Sequence, residues 1–253
     1  MTLNPTQRFS NRAADYARYR PGYPAELITF LHETCAIPVH AKVADIGAGT
    51  GISSKLLLDA GHPVIAVEPN DAMRQTADQW LSGYPDYSSI AAPAERTTLP
   101  DDSVDLVVAA QAFHWFDRNQ VRNEFARILR PGGLVALIWN SRLLDGSEFL
   151  RGYETLLRTY GVDYSEVAER YSDDADMQDW FGSGLQHIGH FHYAQKLDFD
   201  ALRGRALSSS YVPQAGHPNH EPMSRALETL FNTTAQHGFV DFEYDTRVYV
   251  GTL

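Results

Sequence analysis

Apolar positions between residues 42 and 140 follow two alternating patterns. Short, nearly continuous apolar runs at 42–46, 63–68, 88–92, 104–110 and 133–139 alternate with segments in which apolar residues recur at helical spacing. Strands that are buried on both faces are continuously apolar, and alternating strand and helix segments form parallel sheets covered by helices. The pattern therefore predicts an α/β core with five consecutive parallel strands.

The segments between these runs are predicted helices, at 52–60, 71–82 and 117–130. In the third segment Val121, Phe125 and Ile128 share one face. Asp117 can cap its start, and the Pro131-Gly132-Gly133 sequence ends it. We expect this helix to pack on the sheet.

After residue 140 the pattern becomes less regular. It predicts a helix at 147–160, an acidic segment at 163–179, a turn at 181–185, a strand at 185–198, helices at 199–209 and 221–236, and an alternating strand at 239–252. The part before 185 reads as an insertion and not as a second strand–helix series.

Composition and charge narrow the function classes. The 253-residue chain is 43% hydrophobic, enough for one sizeable core, and its net charge of -11 has the wrong sign for binding many phosphates. Cys35 is the only cysteine, which excludes a disulfide-framed fold. No apolar run approaches the roughly 20 residues that span a bilayer. We expect a cytoplasmic enzyme, monomeric or homodimeric, with no nucleic-acid or membrane partner.

The most specific motif is VADIGAGTG at 43–51, a buried strand that ends near Asp45 and enters a glycine-rich turn. Gly47, Gly49 and Gly51 allow a sharp turn and close approach of the backbone to a ligand. A tight turn that binds nothing is the plain alternative. The second alternative is the loop of a nicotinamide or flavin enzyme, G-x-G-x-x-G/A. Ile52 occupies the sixth place of that motif, where a small residue is needed.

Three further motifs follow in order. Glu68-Pro69 ends the second strand, about 20 residues beyond the glycine turn, where an acidic residue meets a ribose in nucleotide-binding folds. A loop containing Ala94-Glu95 follows the third strand, and Gln111-Ala112-Phe113-His114-Trp115-Phe116 follows the fourth. Together with 43–51 these motifs resemble the class I S-adenosylmethionine-dependent methyltransferases, and the AFHW sequence is similar to the trans-aconitate and type 11 methyltransferases.

The resemblance implies a Rossmann-like, doubly wound, seven-stranded, mostly parallel sheet with the last strand antiparallel, plus a helical cap. It implies S-adenosylmethionine as cofactor, with Asp45 accepting a hydrogen bond from the donor's ammonium group, Glu68 binding the ribose, and Ala94 and Glu95 facing the adenine. The full set of cofactor-binding residues it implies is Tyr16, Arg20, Asp45, Gly47, Ala48, Gly49, Gly51, Glu68, Pro69, Ala94, Glu95 and Gln111.

Two of the candidate residues allow two interpretations. Arg20, with Tyr16, lies in a segment that often closes over the donor in this family, where an arginine can pair with the methionyl carboxylate; a solvated basic helix face is the alternative. His114 is either a general base, because imidazole titrates near neutral pH, or a residue that orients the loop or the donor without moving a proton. Methyl transfer to a carboxylate needs alignment but no base.

His187, His190 and His192 on the predicted strand at 185–198 are read as sheet-surface residues, because no cysteine or carboxylate completes a familiar metal-ligand spacing. No metal is expected. Tyr153, Tyr160, Tyr164, Trp180, Tyr211 and His217 are candidates for lining an acceptor cap, with burial in the core as the default interpretation.

The chain is predicted to be a single methyltransferase domain: an N-terminal helical lid at 1–40, a donor-binding core at 41–140, cap insertions at 141–184 and 199–238, and a closing strand at 239–253. The predicted function is methyl transfer to a small-molecule acceptor, such as a carboxylic acid or another metabolite. Alternatives are a methyltransferase acting on lipid or quinone precursors, which should have a more apolar cap, and a non-catalytic module that binds S-adenosylmethionine.

Overall fold

The computed structural model describes residues 19–164 and 174–253. Tyr16 and most of the predicted acidic segment at 163–179 lie outside the described residues. None of the helices within the described ranges is both long and apolar enough to cross a membrane.

The core is a seven-stranded sheet with the strand order β3-β2-β1-β4-β5-β7-β6. The strands are β1 (Val43–Ile46), β2 (Val64–Val67), β3 (Tyr87–Ile90), β4 (Val104–Ala110), β5 (Leu129–Arg142), β6 (Leu185–Leu197) and β7 (Val240–Gly251). Strands β1 to β5 pair in parallel, and β7 is antiparallel to both β5 and β6. The predicted fold class, including its antiparallel last strand, is confirmed.

The α-helices of the described residues are α1 (Glu26–Thr29), α2 (Ile52–Asp59), α3 (Asp71–Trp80), α4 (Arg118–Ile128), α5 (Glu148–Tyr160), α6 (Asp174–Phe181), α7 (Phe199–Leu207) and α8 (His220–Thr234). A π-helical turn, Phe30–Thr34, continues α1. The predicted cap of α4 is present, since the Asp117 carboxylate accepts hydrogen bonds from the backbone N–H groups of Asn119 and Gln120.

Several element boundaries differ from the prediction, most of all that of β5. It was expected at 133–139 but runs from Leu129 to Arg142, so Pro131 and Gly132 lie within the strand and α4 ends at Ile128. The extension beyond residue 139 is polar in sequence and is held by pairing with β7 as far as Arg142. A strand that is ordered by its neighbour need not show a continuous apolar pattern.

Helices cover both faces of the sheet, as in a doubly wound fold. On one face Val121 and Phe125 of α4 pack with β-strand residues such as Trp139, together with Phe181 of α6. On the other face Leu27 of α1 and Leu57 of α2 belong to a second buried cluster. These two clusters fix the carboxyl ends of the strands in position.

A third cluster lies beside the sheet, and the helices that form it are called the cap below. It is built from α5, α7 and α8 together with the first half of β7, with Phe149, Tyr153, Leu202, Leu227 and Phe242 among its buried members. The cap therefore has its own apolar core, and β7 belongs to both the sheet and the cap.

Candidate functional site

A cavity of about 460 Å³ opens at the carboxyl ends of β1, β2 and β4. The chain first adds β2 and β3 on one side of β1 and then crosses to add β4 on the other side. Ligands bind at such a switch point in open parallel sheets. Its walls come from the loops after these strands, from the segment Arg20–Tyr23, from the end of β5 and from the cap. The cavity is therefore shared between the sheet and the cap.

The glycine turn after β1 forms one wall. Gly47 has φ +70°, and a Cβ built there would lie 2.6 Å from the Ala112 Cβ, so both conformation and space require glycine. Gly47, Ala48 and Gly49 line the cavity. Gly51 has φ +88°, and a Cβ built there would lie 2.9 Å from the Leu81 side chain, so packing at the start of α2 also requires glycine. Gly51 is not among the described residues that line the cavity, and its contact with the donor stays a prediction.

Asp45 is fully buried behind this turn. Its Oδ2 accepts hydrogen bonds from the Ser53 hydroxyl at 2.7 Å and the Ser54 hydroxyl at 2.6 Å, while Oδ1 has no hydrogen-bond partner among the described residues. Burial raises the pKa of this carboxyl to about 6 despite the two serine donors. Asp45 is not part of the cavity wall, whereas Ser53 is. A buried oxygen without a partner is a ready acceptor for a ligand donor.

Glu68 joins the loops after β1 and β2. Its two carboxylate oxygens accept backbone N–H groups from Gly49 at 2.9 Å and from Asn70 at 2.8 Å. Burial raises the pKa of Glu68 above its usual value. Each oxygen keeps a further lone-pair site for a ligand hydroxyl, and Glu68 and Pro69 both line the cavity.

The loop after β4 brings Gln111 and His114 to the same cavity. Gln111 has φ +57°, an unfavourable conformation for a residue with a side chain. Its backbone N–H donates to the Ile138 carbonyl at 2.8 Å and its side-chain amide to the Asn140 carbonyl at 3.0 Å. These bonds hold the strained residue and so fix the start of the loop that carries His114, which lies in the 3₁₀ turn Phe113–Trp115.

Ala94 and Glu95 lie in a 3₁₀ turn after β3. Within the described ranges neither is among the residues that line the cavity. Ala94 is buried, and a Glu95 carboxylate oxygen accepts the Asp117 backbone N–H at 3.0 Å. Glu95 therefore supports the start of α4, and its contact with an adenine stays a prediction.

Arg20 lines the cavity from the N-terminal side, and its Nη2 donates to the Ser208 carbonyl at 3.2 Å. Asn140, near the end of β5, links the segment Arg20–Tyr23 to the sheet by a hydrogen bond. Its side-chain amide donates to the Gly22 carbonyl at 2.8 Å, and its Oδ1 accepts the Thr246 hydroxyl at 2.6 Å. The sequence analysis missed Asn140, because a polar residue after an apolar run carries no signal for such a link.

The cap contributes a polar wall that the sequence analysis also missed. Arg142 pairs with Glu154 and donates to the Tyr164 hydroxyl at 2.8 Å, and that hydroxyl donates to Glu154 at 2.6 Å. Burial favours the protonated acid, but the bonds from Tyr164 and Arg142 hold the pKa of Glu154 below its usual value. The three side chains form one charged network at the cavity wall.

Arg205 of α7 is the most buried charge of this wall, at 5% exposed. Its Nε donates to the Tyr244 hydroxyl at 3.0 Å and its Nη1 to the Ser209 hydroxyl at 2.9 Å. Of the aromatic residues considered for the cap, Tyr164 and Tyr211 line the cavity. Tyr153, Tyr160, Trp180 and His217 lie elsewhere in the described structure.

The strand histidines lie away from the cavity. His190 is 3.1 Å from an Asp245 oxygen and His192 is 3.0 Å from a Glu243 oxygen, both pairs across β6 and β7. Over residues 19–164 and 174–253, no group of three or more His, Cys, Asp or Glu side chains is arranged to hold a metal ion.

Comparisons with known proteins identify the family. A family model described as a methyltransferase domain matches residues 44–137. An uncharacterized methyltransferase-like protein of Schizosaccharomyces pombe is 35% identical over 228 residues, 89% of this chain and 86% of that protein. The chain therefore belongs to the S-adenosylmethionine-dependent methyltransferase family, and its sheet is the class I fold of that family.

An uncharacterized methyltransferase of Mycobacterium tuberculosis is 40% identical over 134 residues, 53% of this chain; the chain spans about half of that relative, 52% of its length. Among solved structures, one described as a type II methyltransferase from Anaeromyxobacter dehalogenans has a TM-score of 0.67 at 24% identity, covering 92% of this chain and 98% of that one. Phosphoethanolamine N-methyltransferase 2 of Haemonchus contortus, solved with S-adenosyl-L-methionine, has a TM-score of 0.58 at 14% identity, covering 99% and 58%. Both likenesses concern the fold.

Proposed function

We propose that this chain transfers the methyl group of S-adenosylmethionine to a small-molecule acceptor, with a carboxylic acid as the first candidate. The observation that carries the proposal is the shared cavity, in which the glycine turn and Glu68 form one part of the wall and the cap residues Arg142, Tyr164 and Tyr211 form another. A donor bound at the turn would have its acceptor beside it, closed off by the cap. Such alignment and exclusion of water are the main sources of rate for methyl transfer.

The residues fit the donor at three points. Glu68 has free lone-pair sites for the ribose hydroxyls. Asp45 lies behind the wall, so its negative charge would act on an ammonium group at the turn, with Ser53, its hydrogen-bond partner, in the wall between them. Arg20 in the cavity wall has the charge and shape to pair with the methionyl carboxylate. The donor supplies an electrophilic methyl group when it is bound; these side chains hold and orient it.

His114 is the candidate general base, since it lines the cavity on the loop after β4. An acceptor with an O–H or N–H group would need it to take a proton, whereas a carboxylate would not. The similarity of the AFHW loop to trans-aconitate methyltransferases supports a carboxylic acid and leaves His114 the orienting role.

The two rival functions fit less well. A methyltransferase acting on lipid or quinone precursors needs an apolar acceptor wall, but Arg142, Glu154 and Arg205 contribute charge to this one. A non-catalytic module that binds the donor needs no room beyond it, and this cavity extends into the cap.

Calorimetric titration with S-adenosylhomocysteine, with NADH as the control ligand, tests the donor site. We expect micromolar binding of S-adenosylhomocysteine alone, and binding of NADH instead would overturn the proposal. Transfer of labelled methyl from S-adenosylmethionine to a panel of small acids then tests the reaction, and a panel of neutral alcohols and amines tests the alternative acceptors.

A further inference from the structure

We infer that the cap side of the cavity contains an anion-binding subsite, formed by Arg205 and Arg142, which holds a carboxylate or phosphate group of the acceptor apart from the atom that is methylated. The inference rests on the proposed function, because it names the class of acceptor for the same cavity. It assigns to Arg205 the selection of that acceptor.

Arg205 carries a buried charge that no carboxylate of the described residues neutralises. Its guanidinium carbon lies 5.2 Å from the centroid of the Phe242 ring and 5.9 Å from that of Tyr244, contacts that stabilise the charge without cancelling it. Across the described residues no carboxylate lies within 4.0 Å of its guanidinium, and its hydrogen bonds go to two neutral hydroxyls, those of Tyr244 and Ser209. These bonds use two of its five N–H donors. A buried charge normally has a paired counter-charge, and Arg205 lines the cavity, so a ligand anion can supply that charge.

The charge of the cavity wall is opposite to that of the protein. The wall contains five arginines (Arg20, Arg142, Arg158, Arg205 and Arg247) and two carboxylates (Glu68 and Glu154), whereas the whole chain has a net charge of -11. Two carboxylates outside the wall offset part of this excess, since Asp245 pairs with Arg247 and Asp45 is buried behind the glycine turn, but the arginines still outnumber the carboxylates. A concave site of one sign with apolar surroundings concentrates ligands of the other sign. An acidic protein would otherwise repel an anionic acceptor, so this local excess of positive charge favours one.

The subsite lies beyond the donor-binding end of the sheet. Arg142 pairs directly with Tyr244 in the β5–β7 ladder, and Tyr244 holds Arg205. Asn140, whose carbonyl accepts the Gln111 amide, lies two residues earlier on β5. At a strand rise of about 3.4 Å per residue, Arg142 is roughly 7 Å further along the strand than this contact. That distance leaves room for the reacting part of a small acceptor.

The anion at this subsite anchors the acceptor and is not the group that is methylated. Two guanidinium groups would hydrogen-bond and neutralise a carboxylate there, which makes its oxygens poorer nucleophiles. Arg142 is itself oriented by Glu154, so it presents a fixed set of donors. The positive field acts on neighbouring groups too: burial opposes ionisation of Tyr211, but Arg205, Arg20 and Arg142 together hold the pKa of Tyr211 below its usual value.

Calorimetry on the complex with S-adenosylhomocysteine tests the inference. The probes are succinate for the carboxylate class, glycerol 3-phosphate for the phosphate class, and dimethyl succinate as the neutral control, in buffer free of phosphate and carboxylates. We expect at least one anionic probe to bind and the neutral ester not to bind. Arg205→Gln is expected to weaken that binding about 10–100-fold, the range for a lost charge-assisted contact.

Arg203→Gln is the matched control, because Arg203 lies on the same helix, is exposed and is outside the cavity wall; it is expected to change probe affinity less than about twofold. Arg205→Lys keeps the charge and provides a second variant should Arg205→Gln fail to fold. Arg205→Lys loses the planar set of N–H donors, so it is expected to weaken anion binding less than Arg205→Gln does. If neither anion binds the wild-type complex, or if the Arg205 variant that folds binds the anion as the wild type does, the inference is wrong. Failure of S-adenosylhomocysteine itself to bind would instead overturn the proposed function.

Discussion

Relative to wild type, replacement of Asp45 by asparagine should favour the stability of the free protein more at neutral than at acidic pH, and should weaken the donor complex. Asp45 is fully buried, and its Oδ1 lacks a hydrogen-bond partner within the described part of the chain. Asparagine has nearly the same shape, and its side-chain oxygen can still accept from Ser53 and Ser54. The substitution therefore removes a desolvated charge with little change in packing.

The magnitude follows from the raised pKa of Asp45, about 6 in the folded protein against 3.8 as its ordinary value. Each unit corresponds to about 1.36 kcal/mol, so ionised Asp45 costs roughly 3 kcal/mol of folding stability at pH 7. Because the folded pKa is the higher one, the folded state binds the proton more tightly. The cost is absent well below pH 3.8, grows as the pH rises through the window between the two values, and is constant above pH 6.

Urea denaturation of wild type and Asp45→Asn at pH 7.5 and pH 4 measures this difference. The amide NH2 would take the place of the unpartnered Oδ1, and this buried donor costs about 1–3 kcal/mol at any pH. We therefore expect the stability of Asp45→Asn relative to wild type to rise by about 2 kcal/mol between pH 4 and pH 7.5. Calorimetry at pH 7.5 should show at least tenfold weaker binding of S-adenosylhomocysteine, since the neutral amide removes the negative charge that lies behind the turn and attracts an ammonium group there. Asp86→Asn, an exposed position, is the control. Equal stability changes at both pH values, with unchanged donor affinity, would refute the reasoning.

Three further predictions concern other parts of the structure. Gly47→Ala is expected to abolish donor binding in calorimetry and lower the melting temperature, whereas Gly132→Ala, at φ +81° with open space around it, should have only the smaller conformational cost. His114→Gln is expected to retain donor affinity and, for an acceptor that must lose a proton, to lower kcat at least tenfold and flatten its pH dependence; unchanged kcat would assign it the orienting role. Burial lowers the pKa of His62, which contacts His32 at 2.8 Å, so stability linked to this pair should fall below about pH 6.5, and His62→Gln should flatten that decrease in urea denaturation. A parallel decrease in wild type and variant would contradict that assignment.

Much of the fold could be predicted because buried parallel strands have a strong sequence pattern. The runs that became β1, β2 and β4 are apolar except for Asp45 in β1 and Asp105 in β4, and the strands are fully or nearly fully buried. The polar end of β5 could not be predicted, since Asn140 and Arg142 are ordered by pairing with β7, more than a hundred positions later in the sequence. A local pattern contains no information on such a partner.

The residues of the candidate site also fall into two groups, those that the local sequence predicts and those that it does not. The turn residues and Glu68 were predicted because nucleotide-binding strands place glycines and acids at fixed spacing. Arg142 and Arg205 were missed, because their meaning depends on two segments more than sixty residues apart meeting at one wall. Arginines that are distant in sequence look like ordinary surface charges until the fold shows which one is buried.

Strand β7 lies between β5 and β6 and hydrogen-bonds to both, although it follows them in the sequence. Neither neighbour can reach its final pairing until β7 has been synthesised and has inserted between them, so sheet completion depends on contacts of long sequence separation, which form slowly. Tyr244 belongs to the same strand, and its hydroxyl accepts the hydrogen bond that orients Arg205. A nascent chain that lacks β7 would thus hold a formed glycine turn beside an unfinished cap, with two open strand edges exposed to other chains.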